Sequence, residues 1–326
     1  MTINKSYSIN KGLYPRIYYL LEDIPDDYYF GKMHLNRCRP PNIIFSIASH
    51  EFLESMFDII ESINTLNIYS RSDHRSPQTV LNILNKQLPS SIAHLCSFYD
   101  ELFLILKSIT YEKNHEKKEA ASWLRDNKIY SGNQIKGSCY SAIAFWYDIN
   151  NRIKHNNQRF NSVEIIGEEY ISHGFYLEGV KEDGKPYIDT DVHNKIRNSF
   201  GVTFQRAICH LFTIYFFIAH KFEKTIINHL KKEYNFKLGL NYIAPKKSED
   251  RIQKIWESIT NWEMRFFPSE YGYSYSKISF NGNSYMIRYP ITINQYTIPF
   301  KMASLCHSSG NTIPLVNVGN VYKRRD

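Results

Sequence analysis

The chain has no glycine-rich nucleotide loop. Neither GxxxxGK[ST] nor a GxGxxG following a strand occurs, which excludes the backbone cradles of P-loop and dinucleotide-binding folds. Cysteine is scarce: Cys38, Cys96, Cys139, Cys209 and Cys306 are widely spaced, odd in number and form no CxxC pair. That pattern argues against a structural zinc site and for reduced thiols in a cytoplasmic protein. The twelve histidines never fall in HxxxH or HExxH, so neither a dedicated metal site nor a cofactor is expected. Long hydrophobic runs are missing as well. The longest, Leu211 to Ala219, is bounded by His210 and His220 and is too short to span a bilayer; it reads as a buried core helix, with no membrane partner. The first ten residues are polar, unlike a signal peptide. No elbow or signature surrounds any serine or cysteine that would mark a nucleophile.

Aromatic residues are abundant, at 15% with Tyr 25 and Phe 20. Such side chains favour packed cores and interfaces, so a homodimer is expected. A net charge of +8 suits a polyanion such as RNA, although the excess is scattered in short groups, Lys231-Lys232, Lys246-Lys247 and Lys323-Arg324-Arg325. Each group alone reads as solvated surface. Summed over two copies, the charge would concentrate RNA and make its binding salt-dependent.

Residues 1–41 read as an irregular N-terminal segment with one short strand at Tyr14 to Leu20, stopped by Pro40-Pro41. Apolar residues then recur at three and four over about 42–66, 77–110 (interrupted near Pro89), 134–155 and 191–234, with a charged surface helix at 116–125. Gly201 inside the last of these predicts a kink or a close helix contact. At about 160–190 the period changes to two, and Asp183-Gly184 predicts a hairpin. Beyond residue 240 a short helix at 249–262 precedes alternating runs at 273–280 and 285–289 around Asn281-Gly282-Asn283, then at 292–300 and 313–318. The expected fold is mainly α: an antiparallel helical bundle over 42–240, with a β hairpin inserted, and a small β-rich C-terminal appendage over 241–326.

The segment Phe145-Trp146-Tyr147-Asp148-Ile149-Asn150-Asn151-Arg152-Ile153-Lys154-His155-Asn156 carries the chemistry. It begins as an aromatic helix face and ends in a turn of amides, cations and an imidazole. At helical pitch Asp148, Asn151, Arg152 and His155 share one face. An imidazole there can move a proton near neutral pH, and a guanidinium can hold a phosphate. The same turn also suits a plain polar helix end, where cations are favoured by the C-terminal dipole. His94, His210 and His220 read as hydrogen-bonded core or interface residues.

These residues and the helices around them, over roughly 42–232, resemble the HEPN superfamily (higher eukaryotes and prokaryotes nucleotide-binding). Its signature is an Arg, a polar residue, a few more residues and a His at the end of a long bundle helix. Asn151 stands at the polar position and His155 at the His. Asn150 stands where the family Arg sits, five before the His, while the nearest Arg is Arg152, three before it; the two positions differ by about 200° of helical rotation. The resemblance implies a helical bundle, often dimeric, acting as a metal-independent endoribonuclease of the toxin or anti-phage defence kind, with an antitoxin or other protein as a further partner. His155 would act as general acid or base, Arg152 would stabilise the phosphorane and Asn151 would orient it. Lys154, Asn150 and Arg159 would contact RNA phosphates. A reading from another class stays open: a non-catalytic helical module that uses the same turn to bind RNA, a nucleotide or a partner protein.

Overall fold

The computed structural model describes residues 1–30, 39–69, 78–111, 119–156, 158–167, 171–180, 186–195, 201–236, 250–267, 270, 274–292, 300–306 and 312–314. The protein is mainly helical. After strand β1 (Ile3–Ser8) and a single turn α1 (Ile17–Leu20) come α2 (Pro41–Tyr69), α3 (Gln78–Ser108), the short α4 (Ala120–Asp126) and α5 (Tyr130–Asn156). Strands β2 (Arg159–Gly167), β3 (Ile171–Val180) and β4 (Pro186–Ile188) follow, then α6 (Thr190–Lys195), β5 (Val202–Thr203) and α7 (Phe204–Tyr234). Last come α8 (Asp250–Asn261) and strands β6 (Ser274–Asn281), β7 (Ser284–Thr292), β8 (Phe300–Cys306) and β9 (Thr312–Pro314).

The four long helices pack on one another through the stripes that the sequence spacing predicts. On α2 the buried residues include Ile44, Ala48, Phe52, Met56, Ile59, Ile60 and Ile63. On α3 the stripe continues unbroken past Pro89 from Leu88 to Ile92, Leu95, Tyr99 and Leu102, and the helix does not stop there as the sequence suggested. Burial on both sides of Pro89 outweighs the backbone hydrogen bond that proline forfeits.

Helix α7 is apolar all round, and the chain itself covers it. Phe204, Ile208, Phe212, Tyr215, Phe216 and Phe222 are at most 1% exposed. Tyr7 of β1 packs on Phe216 at 4.5 Å between ring centroids, and Trp256 of α8 packs on Phe212 at 4.8 Å. Phe52 and Phe98 close on Tyr215 at 5.1 and 4.8 Å. Of the two faces that the sequence offers for a homodimer, the Phe204 to Phe222 helix and the α5 helix, the first is not free. That face is spent inside the protomer, because N- and C-terminal elements supply the cover that neighbouring helices could not.

α7 starts at Phe204 rather than near residue 191. The short α6 and strand β5 take the intervening place, with β5 lying beside β3 (Gly174 opposite Thr203, Phe175 opposite Val202). A Cβ on Gly174 would stand 2.2 Å from the Val202 carbonyl oxygen, and one on Gly201 would stand 2.6 Å from that of Phe175. Gly201 therefore serves a close backbone approach between strands rather than a helix kink.

All strand pairs are antiparallel. One sheet has the order β1-β7-β6, with Ile3 opposite Tyr289 and Ser8 opposite Ser284. The other has the order β4-β3-β2-β8-β9, with β5 on β3. The N-terminal segment expected as irregular thus holds a strand. Its expected strand at Tyr14 to Leu20 is instead the turn α1, where the Tyr18 and Tyr19 amides donate to the carbonyls of Pro15 and Arg16 and Ile17 and Leu20 face the core. The hairpin around Gly282 forms as expected; the 183–184 turn and most of the expected strands at 292–300 and 313–318 lie outside the described residues. Cys96, Cys139 and Cys209 are buried free thiols. Among the described residues no helix is long and apolar enough to cross a membrane.

Candidate functional site at the end of α5

Helix α5 turns Ile135, Cys139, Ile143, Trp146 and Ile149 inward, which leaves its last turn at the surface. Asn151, Lys154 and His155 are exposed there, and Arg152 is half-buried. Lys154 and His155 sit where the helix dipole favours positive charge. Asn150 does not join them. It is 6% exposed, on the core side next to Ile149, so the phosphate contact expected of Asn150 is corrected: its side chain offers no surface to a polyanion. Arg159 is exposed at the first position of β2, opposite Glu178 of β3.

Arg152 is committed to carboxylates. Its Nη1 donates to Asp189 Oδ2 at 2.6 Å and its Nε to Asp148 Oδ2 at 3.4 Å. Partial burial disfavours the guanidinium charge, but Asp189 and Asp148 outweigh that and bind its proton more tightly than usual. Asp189 is almost wholly buried, and every neighbour serves it. Gln158 Nε2 donates to the same Oδ2 at 2.8 Å, and Oδ1 accepts the Val192 amide at 3.1 Å, as a residue capping α6 does. The Asp189 amide in turn donates to the Leu177 carbonyl of β3 at 2.9 Å. Buried His193 accepts the Leu177 amide at its Nε2, at 3.0 Å, and burial pushes its pKa down to about 4. The end of α5, strand β3 and α6 are thus tied through one aspartate, its carboxylate holding Arg152 and the Val192 amide and its backbone amide holding β3.

Lys154 lies within electrostatic reach of Asp100 on α3, which accepts the Tyr147 hydroxyl at 2.6 Å. Burial raises the Asp100 pKa, while Tyr147 and Lys154 act to lower it. The turn therefore sets Arg152, Lys154 and Arg159 against Asp148, Asp189 and Asp100, and the local charge balances. What stays accessible is an imidazole, an amide and two cations on flexible stems.

No family model, curated protein or solved structure matches this chain.

The other histidines that the sequence singled out are bonded or paired inside the protomer. His210 accepts the Trp146 indole N–H at Nδ1, at 3.3 Å, and stacks on Tyr289; burial and nearby Arg206 push its pKa down to about 3. His94 lies 3.8 Å from Glu51 on the outer side of α2. Sequence reasoning missed Asp189 and Gln158. An Asp directly before Thr190-Asp191-Val192 is a capping signal, but nothing local links it to Arg152, 37 residues earlier.

The ion pairs predict a stability role. Arg152→Ala should cost about 2 kcal/mol, less than the 3–5 typical of a broken buried pair because Gln158 and the Val192 amide still serve Asp189. Arg152→Lys should recover part of it. A urea midpoint unchanged in Arg152→Ala would show that the ion pairs hold nothing.

Proposed function

We propose that the end of α5 is the proton-transfer centre of a metal-independent endoribonuclease of the HEPN kind. The supporting observation is the placement of His155: an exposed imidazole on the terminal turn of a well-anchored helix, beside exposed Asn151 and Lys154 and one turn from Arg152. His155 takes the 2′-hydroxyl proton, O2′ attacks the adjacent phosphorus, and the P–O5′ bond breaks as solvent protonates the leaving oxygen. The products are a 2′,3′-cyclic phosphate and a 5′-hydroxyl. Lys154 and Arg159 hold the phosphate, and Asn151 orients it. Arg152 is a positioning residue that fixes the turn against Asp189. In this reading the protein is a toxin or anti-phage effector, restrained by a partner protein, and it pairs with a second copy along the outer face of α5, where Gly137 and Tyr140 are exposed.

Purified protein should cut single-stranded RNA in EDTA and leave cyclic phosphate ends. His155→Ala should lower the rate by about 10² or more, the usual size of a general acid–base contribution. Undiminished cleavage by His155→Ala would end the reading. A second reading rests on Arg152, whose guanidinium is already occupied by Asp189 and Asp148. There the turn binds RNA or a partner without cutting, and retention of intact RNA, weakened by salt, is the expected result.

A further inference from the structure

A cleft of about 700 Å³ opens on another part of the molecule, between α8, the segment that follows it and strand β6. Its volume is that of a small-molecule site. The register of β6 on β7 shifts there: Tyr275 lies opposite Ile291 but Lys277 opposite Arg288, so Tyr289 and Pro290 together face the single residue Ser276. Bulges of this kind re-aim side chains. Ser276 lines the cleft, is 2% exposed, and among the described residues its Oγ has no hydrogen-bond partner. A buried hydroxyl left unpaired costs about 1–3 kcal/mol, which a ligand bonded to it would recover.

The aromatic side chains of the lining, Trp262, Tyr275, Phe280 and Tyr285, stand among aliphatic and polar ones, and three of them are held in place. Trp262 is half-buried, with its indole N–H fixed on Asn64 Oδ1 at 2.7 Å. Tyr275 packs on Phe266 at 5.2 Å, and Tyr285 stacks on Trp256 at 5.1 Å. At the mouth stand two of the exposed large apolar side chains, Ile9 and Phe280, 41% and 48% exposed. The charged side chains of the lining, Lys277 and Glu257, have opposite signs, so the cleft selects for no net charge.

We propose that this cleft binds an uncharged planar heteroaromatic molecule of about purine-nucleoside size, stacked against its aromatic side chains and hydrogen-bonded at its polar edge to Ser276 Oγ, which is sealed and unpaired in the free protein and turns toward the ligand on binding. The site does not depend on the ribonuclease reading. Trp123, Trp146 and Trp256 are at most 1% exposed, which makes Trp262 the indole that a ligand in the cleft reaches. Titration of the full chain with adenosine, inosine and caffeine should give saturable quenching of tryptophan fluorescence by at least one of them. Trp262→Phe should abolish the quenching while equilibrium dialysis still records binding. Ser276→Ala should weaken that binding about tenfold, the upper end for one hydrogen bond, without lowering the thermal midpoint, because the hydroxyl has no partner in the free protein. No saturable binding of any of the three at millimolar concentration would overturn the proposal. Equal affinity in Ser276→Ala, or a lowered midpoint in that variant, would do the same.

Discussion

Replacing Glu270 by alanine is expected to destabilise the protein by about 3–5 kcal/mol, a large share of the stability of any domain. Its carboxylate is fully buried and gathers three donors: the Thr203 amide at 3.1 Å, Arg206 Nη1 at 3.3 Å and the Phe267 amide at 2.8 Å. Burial raises its pKa, and Arg206 and the two amides act against that rise. Arg206 continues through Nη2 to the Ser274 carbonyl at 3.1 Å, so the Glu270 carboxylate and Arg206 together join β5, the start of α7, Phe267 and β6. Alanine would take the carboxylate from a largely buried guanidinium and the acceptor from two amides at once, and breaking a buried pair from one side is costlier than never having built it. Glu270→Gln, which keeps an acceptor for one of the two amides, should cost roughly half as much. The double variant Glu270→Ala/Arg206→Met should cost less than the sum of its singles, and chemical denaturation of the four proteins measures that coupling. Strict additivity would mean that the two groups act independently.

Acid should unfold the protein through its buried histidines. His193 and His229 are 1% and 3% exposed, and both have pKa values pushed down to about 4, first of all by burial. His229 is bonded to Ser131 Oγ at 3.1 Å and Thr110 Oγ1 at 3.3 Å, while His193 Nδ1 has no partner that could stabilise a charged ring. Below the ordinary pKa of about 6.5 the unfolded chain takes up protons at these rings and the folded chain does not, so stability falls as pH drops from 6.5 to 4. At pH 5 each ring should have cost about 2 kcal/mol, with the shift in His210 adding in the same direction. Asp100, Glu223 and Glu270 have raised pKa values and work the other way, because the folded state protonates them first. Urea midpoints at pH 7.5, 6 and 5 should fall steadily, and His193→Gln should flatten the slope. A level profile would show that these rings already find their protons in the folded state.

The long helices were readable because burial of one face at a spacing of three and four leaves its trace within a single element. The α2 stripe from Ile44 to Ile63 and the inward side of α5 are of this kind. The same spacing held the placement of Asn150, four residues after Trp146 and seven after Ile143, which turns it inward. Pairings between distant elements leave no such trace. β1 is short, and only Ile3 along it is fully buried, so its polar residues read as irregular until β7 stands beside them. Arg152 likewise looked free in the sequence. Its principal partner, Asp189, comes from beyond a strand meander, and only the folded chain shows that the cation was already engaged.

The pairing of β1 with β7 also sets a timetable. Ser8 meets Ser284, 276 residues further along the chain, and at the usual 5–20 residues per second a ribosome needs about 15–55 s to cover that distance. Until the 250–290 region is made β1 has no strand partner, and the side of α7 that Trp256 shields lies open or rests on borrowed cover. Closure of the core is thus an event of late synthesis, tied to arrival of the 250–290 region rather than to formation of the helices. A chain stopped before that region would carry an uncovered aromatic helix and a bare strand, which suits it to capture by chaperones and to early proteolysis.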